Sequence, residues 1–117
     1  AADLTRDDLP GSQDVVLLAN VLHLHGETAG RGIVARCTQA LATGGRLILK
    51  EVHVQADRSG PALGLYFALN MALYTREGDV WPAEMLAAWM QDAGLKLGAA
   101  ATLESSPGSV VIVGTRA

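Results

Sequence analysis

Two short stretches hold most of the groups in this chain that could do chemistry. Asp14–His25, DVVLLANVLHLH, ends in His23 and His25, and Arg46–Val54, RLILKEVHV, carries Glu51 and His53. An imidazole and a carboxylate delivered to one place are suited to moving a proton near neutral pH. Three histidines with Glu27 or Glu51 could instead be read as nitrogen and oxygen ligands of zinc. Against that, a His-x-His pair at a strand end splays its two rings, and no second close-spaced pair supports it. A third pattern, Gly30-Arg31-Gly32-Ile33-Val34-Ala35, fits the G-x-G-x-x-A of a dinucleotide-binding turn, with Glu51 at about the spacing of a ribose-binding acid. That fingerprint needs its first glycine tight against a strand end, and roughly a dozen residues separate Leu18 from Gly30.

The elements that must position these groups can be read from the apolar pattern. Val15–Leu18 is a continuous apolar run, as expected of a strand buried on both faces. Gly26–Gly30 reads as a loop, and from Arg31 the positions Ile33, Val34, Cys37 and Leu41 follow a helical period that Gly44-Gly45 would stop. Arg46–Val54 is a second strand and Gln55–Pro61 a polar break. Ala62–Tyr74 is apolar nearly all round, which predicts a helix that is buried or lines a pocket. After a turn at Glu77-Gly78-Asp79, Pro82 opens a helix through Ala93, with Leu86, Trp89 and Met90 facing inward and Gly94 as its stop. Leu95–Leu103 and Val110–Thr115 then form an antiparallel hairpin around a Ser-Ser-Pro-Gly turn. In an open α/β sheet of this kind, ligands bind beyond the carboxyl ends of the strands, where His23 and Glu51 fall.

Composition bounds the function classes. The 117 residues make one domain, with 50% apolar and 18% charged residues, the balance of a packed core. A net charge of −3 offers no basic field for nucleic acid or an anionic membrane. No run of ~18 apolar residues suggests a membrane span. A single cysteine, Cys37, fits a reducing compartment, and cytoplasm is the expected location. The chain opens on Ala1-Ala2-Asp3 and runs almost at once into a strand, which leads us to expect a piece of a longer polypeptide.

Four motifs in order carry a family resemblance. LATGGRLIL is similar to the L-x-P-G-G-x-L that opens the fifth strand of class I S-adenosylmethionine-dependent methyltransferases, and the closing helix and hairpin match their last two strands. NVLHLH resembles the N-V-L-H-D-W element of small-molecule O-methyltransferases of the plant phenolic and bacterial polyketide type. LYFALNMALYTREG resembles their D-L-N-M-L helix and the turn after it, and Ala2-Asp3-Leu4 their G-D-F. The resemblance implies the second half of a Rossmann-like α/β sheet. Its strands would be parallel except for an antiparallel terminal strand, with helices on both faces, and residues 1–117 would form a partial catalytic domain. The glycine-rich cofactor loop and the helical domain that forms the homodimer would lie elsewhere, so this segment alone should be inactive.

The same resemblance assigns roles. The reaction would be methyl transfer from S-adenosylmethionine to a hydroxyl of a small aromatic or polyketide acceptor. His23 falls at the catalytic base, Glu51 at the carboxylate that orients it, and Asp79 at a second carboxylate, with Glu77 behind it. Asp3, Leu4, Asn20 and His25 fall at cofactor contacts, while Phe67, Asn70, Met71, Tyr74 and Trp81 would line the acceptor pocket. No metal is implied. Two departures stand out: His25 replaces the tryptophan that covers the adenine in some relatives, and Ala19 stands where plant members carry a lysine.

Overall fold

The computed structural model describes all 117 residues. Its elements run β1 (Gln13–Ala19), α1 (Glu27–Ala40), β2 (Leu41–Val52), α2 (Ala62–Tyr74), α3 (Ala83–Asp92), β3 (Leu95–Leu97), β4 (Ala101–Leu103) and β5 (Ser106–Arg116). The sheet order is β1-β2-β5-β3, with β4 also paired to β5. β1 and β2 are parallel, and β5 enters antiparallel between β2 and β3. One parallel pair and three antiparallel pairings make a mixed α/β sheet, with the reversed terminal strand that the resemblance implied.

Alternation along the strands sets one face against helices. Val16 and Leu18, Leu47 and Leu49, and Gly114 and Ile112 lie in register across β1, β2 and β5. Onto that face pack Ile33, Val34 and Cys37 of α1 and Leu86, Trp89 and Met90 of α3, forming one core. Trp89 reaches it because residue 30 is glycine: a Cβ there would stand 2.8 Å from the indole ring. The opposite face is less covered. Val15 and Leu17 are 54% and 66% exposed, so β1 is not the doubly buried strand its apolar run predicts. It has one neighbour in the sheet and helices on one side only, and a continuous apolar run cannot report either fact.

Three other expectations change. Residues 27–30 are the first turn of α1, not a loop: Gly26 precedes the helix, and Glu27 pairs with Arg31 one turn on at 3.1 Å. Gly44-Gly45 does not stop that helix, which ends at Ala40. The two glycines instead kink β2, with Gly44 at φ 78°, where the register to β1 jumps between Gln13↔Leu41 and Val15↔Arg46. The carbonyls at the end of α1 are met by the Arg116 guanidinium from β5, which binds those of Gln39 (2.9 Å) and Leu41. The closing hairpin turns at Glu104–Ser105, so Ser106-Pro107-Gly108 belong to β5, and its partner strand breaks at Gly98–Ala100 into β3 and β4.

α2 has the predicted bounds but not the predicted burial. Leu63, Tyr66, Leu69, Leu73 and Tyr74 are exposed, Tyr74 by 81%, and only Gly64 is buried. The helix leaves the sheet beyond the carboxyl end of β2, anchored where a Cβ on Gly64 would fall on the His53 carbonyl oxygen. Because that obstacle is backbone, Gly64→Ala is expected to destabilise the fold by about 1–3 kcal/mol, read as a lower denaturation midpoint at unchanged slope. An unchanged midpoint would mean that α2 is not seated there. No helix is long and apolar enough to cross a membrane.

Candidate active site

The carboxyl ends of β1 and β2 are adjacent, with Ala19 paired to Lys50 and the Asn20 amide donating to the Lys50 carbonyl at 2.9 Å. Asn20 takes a left-handed conformation (φ 56°), which asparagine tolerates, and turns the chain out of the strand. A single 3-10 turn, Leu22–Leu24, follows and carries His23 back over β2. There the Glu51 carboxylate, 2% exposed, accepts three hydrogen bonds. Oε1 takes the backbone N–H of Val21 (2.9 Å) and of Leu22 (2.7 Å), and Oε2 lies 2.7 Å from His23 Nδ1. Burial of this acid is therefore matched by donors on both oxygens, as a low-polarity site requires.

That arrangement decides the tautomer. A carboxylate cannot donate, so Nδ1 carries the proton and the neutral ring keeps its lone pair on Nε2. Nε2 has no protein partner, and His23, 7% exposed, lines a cavity of about 660 Å³ at this end of the sheet. Phe67 of α2 meets the imidazole edge to face at 4.8 Å and forms another wall. Behind the turn, Trp81 Nε1 donates to the carbonyls of Leu22 and His25, each at 3.2 Å. Trp81 thus braces the loop bearing His23, whereas the sequence reading put it in the acceptor pocket.

The remaining candidates lie as follows. Asn20 lines the cavity; Asp3, Leu4, His25, Asn70, Met71, Tyr74 and Asp79 do not. Asn70 and Tyr74 are on the exposed side of α2, and Met71 is half-buried. Asp79 forms a two-pronged ion pair with Arg58 (3.0 Å on each oxygen), tying the loop before α2 to the turn after it. Glu77 packs over Gly26. Asp3 accepts from the Thr5 hydroxyl and amide, which hold its carboxyl below the ordinary value, and Arg36 binds the Leu4 carbonyl at 3.0 Å. Burial pushes the Cys37 thiol up, as expected of a core residue.

The two rival chemistries find no geometry. Gly30, Gly32 and Ala35 are all inside α1, so no glycine turn faces a ligand. No three His, Cys, Asp or Glu side chains are grouped to hold a metal ion.

The sequence model of the O-methyltransferase domain matches residues 1–96. This chain belongs to the O-methyltransferase domain family. It is 34% identical over 117 residues to a 3-hydroxy-5-methyl-1-naphthoate 3-O-methyltransferase of Streptomyces sahachiroi, covering all of this chain and 34% of that protein. Its structure superimposes with a TM-score of 0.89 and 28% identity on a family 2 O-methyltransferase of Planctomyces limnophilus in complex with apigenin, covering 99% of this chain and 34% of that one. PigF with SAH, from Serratia, gives 0.87 and 26%, covering 98% of this chain and 34% of that one. The chain thus spans about a third of the relatives it matches.

Family membership and geometry together explain what the residue pattern alone missed. The support from Trp81 and the clamp between Arg58 and Asp79 depend on contacts across more than twenty positions, and no local spacing announces them.

Proposed function

We propose that this O-methyltransferase segment provides the proton-accepting half of a site that methylates a hydroxyl of a small aromatic or polyketide acceptor. One observation carries the proposal: His23 is held by Glu51 through Nδ1, with Nε2 left as a free base on the wall of a cavity. In this reading Nε2 accepts the proton of the acceptor hydroxyl, and Glu51 stabilises the imidazolium that results. Phe67 gives the acceptor ring an apolar surface. His23 is the catalytic base and Glu51 its orienting residue. Asp79, engaged with Arg58, keeps the α2 loops in place and would reach the site only if that pair opened.

S-adenosylmethionine, when bound, supplies an activated methyl group on a sulfonium. The residues present fit one side of such a site: Asn20 brings a free amide N–H₂ to the cavity at the strand end, as a polar ligand needs. Asp3, Leu4 and His25 are proposed as further contacts, with the glycine-rich loop and a dimer-forming helical domain assigned to the rest of a full-length polypeptide. The working form is then a cytoplasmic homodimer. The named activity of the Streptomyces relative, on a hydroxylated naphthoate, supports an aromatic acceptor.

The test is methyl transfer by the full-length polypeptide from S-adenosylmethionine labelled in the methyl group to a panel of hydroxylated aromatics. Labelled ethers should form, and S-adenosylhomocysteine should inhibit. A protein that binds NAD and not S-adenosylhomocysteine, or that needs zinc, would sink the reading.

A further inference from the structure

We propose that Lys50 is a specificity-determining residue that selects acceptors carrying a carboxylate, a proposal that rests on the methyl-transfer reading above. Of the 11 residues lining the cavity, Lys50 is the one with a fixed charge. It has no anionic partner. Its neighbours in register on β1 and β5 are Ala19 and Val111, and its one hydrogen bond is a long 3.4 Å contact to Asn20 Oδ1. Glu51, next in sequence, points to the other face of β2 and is taken by His23 and two backbone amides.

An ammonium without a counter-ion, half-buried beside an apolar wall, favours an anion that can reach it. The same cavity carries hydroxyl donors. Ser106 and Ser109 at the start of β5 share one hydrogen bond at 2.8 Å, which leaves one of the two O–H groups free to donate outward. A carboxylate accepts from several donors at once, so lysine and serine hydroxyl can serve it together. Phe67 and Leu63 of α2 close the same cavity, and they supply the flat apolar surface that an aromatic ring requires. His23, whose Nε2 has no protein partner, lines that space as well, so one bound molecule can offer its hydroxyl to the histidine and its carboxylate to the lysine.

The experiment compares monohydroxynaphthoic acids with their methyl esters as acceptors for the full-length enzyme and for K50M and K50R. K50M is expected to lower kcat/KM for the acids by about 10- to 100-fold while changing the esters less than about threefold. K50R, which retains the charge, should keep most of the preference for acids. Unaltered thermal melting of K50M establishes that the loss is not unfolding. Equal loss on acids and esters, or a raised KM for S-adenosylmethionine with both, overturns the proposal and leaves methyl transfer standing. Wild-type enzyme that methylates neither class overturns the underlying reading, and this inference with it.

Discussion

His23→Gln in the full-length enzyme is expected to lower kcat by about 10²- to 10⁴-fold, the range for removing a positioned general base. Glutamine is near the size of the imidazole, and its amide can still donate to Glu51 Oε2, so the 3-10 turn keeps its anchor. What disappears is the basic lone pair. Affinity for S-adenosylhomocysteine should be almost unchanged, because the ring's one protein hydrogen bond is to Glu51. A fall in kcat with intact inhibitor binding therefore separates lost chemistry from lost folding. Methylation at the original rate would show that the acceptor loses its proton elsewhere, and would remove His23 from the mechanism.

The second large effect is at Glu51, where two substitutions should part company. In Glu51→Gln one amide oxygen can still accept the N–H groups of Val21 and Leu22, so the fold survives. The amide nitrogen then faces Nδ1 and donates to it, driving the ring proton to Nε2. That is the wrong tautomer for accepting a proton, and kcat should fall by about 10³- to 10⁴-fold, as for an orienting acid made amide in a hydrolytic triad. Glu51→Ala removes the acceptor altogether. Two buried backbone donors and the ring N–H lose their partner, and stability should drop by about 3 kcal/mol or more. The checks are steady-state kinetics for the amide variant and chemical denaturation for the alanine variant. If Glu51→Gln were active and Glu51→Ala stable, the carboxylate would be incidental to both site and fold.

These two residues are also the most legible part of the candidate site, and the reason is local. Each falls at or just beyond the carboxyl end of an apolar run, and parallel strands joined by one helix put such ends side by side. His25 and Asp79 show where that logic stops. His25 is two residues from His23, yet the 3-10 turn sends its side chain elsewhere, and its carbonyl goes to Trp81. Asp79 carries the right charge in the right loop, but Arg58 lies closer than the histidine does. An ion pair formed across a loop of free length is not encoded in spacing.

α2 teaches the same lesson in packing. Eight of its thirteen residues are Ala, Leu or Met, strong helix formers, and the segment is bounded by Pro61 and Thr75, which can be read without any tertiary information. Which side it buries cannot be read that way. Apolar residues surround it, so the pattern has no preferred face; the close approach of Gly64 to His53, the contact of Phe67 with His23 and the packing of Leu63 on Gly108 define an inner side.

Taken alone, the sequence determined element type and order, the histidine and carboxylate at adjoining strand ends, and through four ordered motifs the family. The elements follow from local propensity and from the period of apolar residues, which the chain carries whether folded or not, and the family from the likeness of the motifs themselves. The tertiary structure decided the rest: the helix-covered face of the sheet, the glycines that kink β2 instead of ending α1, the two backbone amides that complete Glu51, and the lone ammonium of Lys50 in the cavity. Each depends on groups far apart in the chain meeting in space, and their meeting is set by the packing of the whole core.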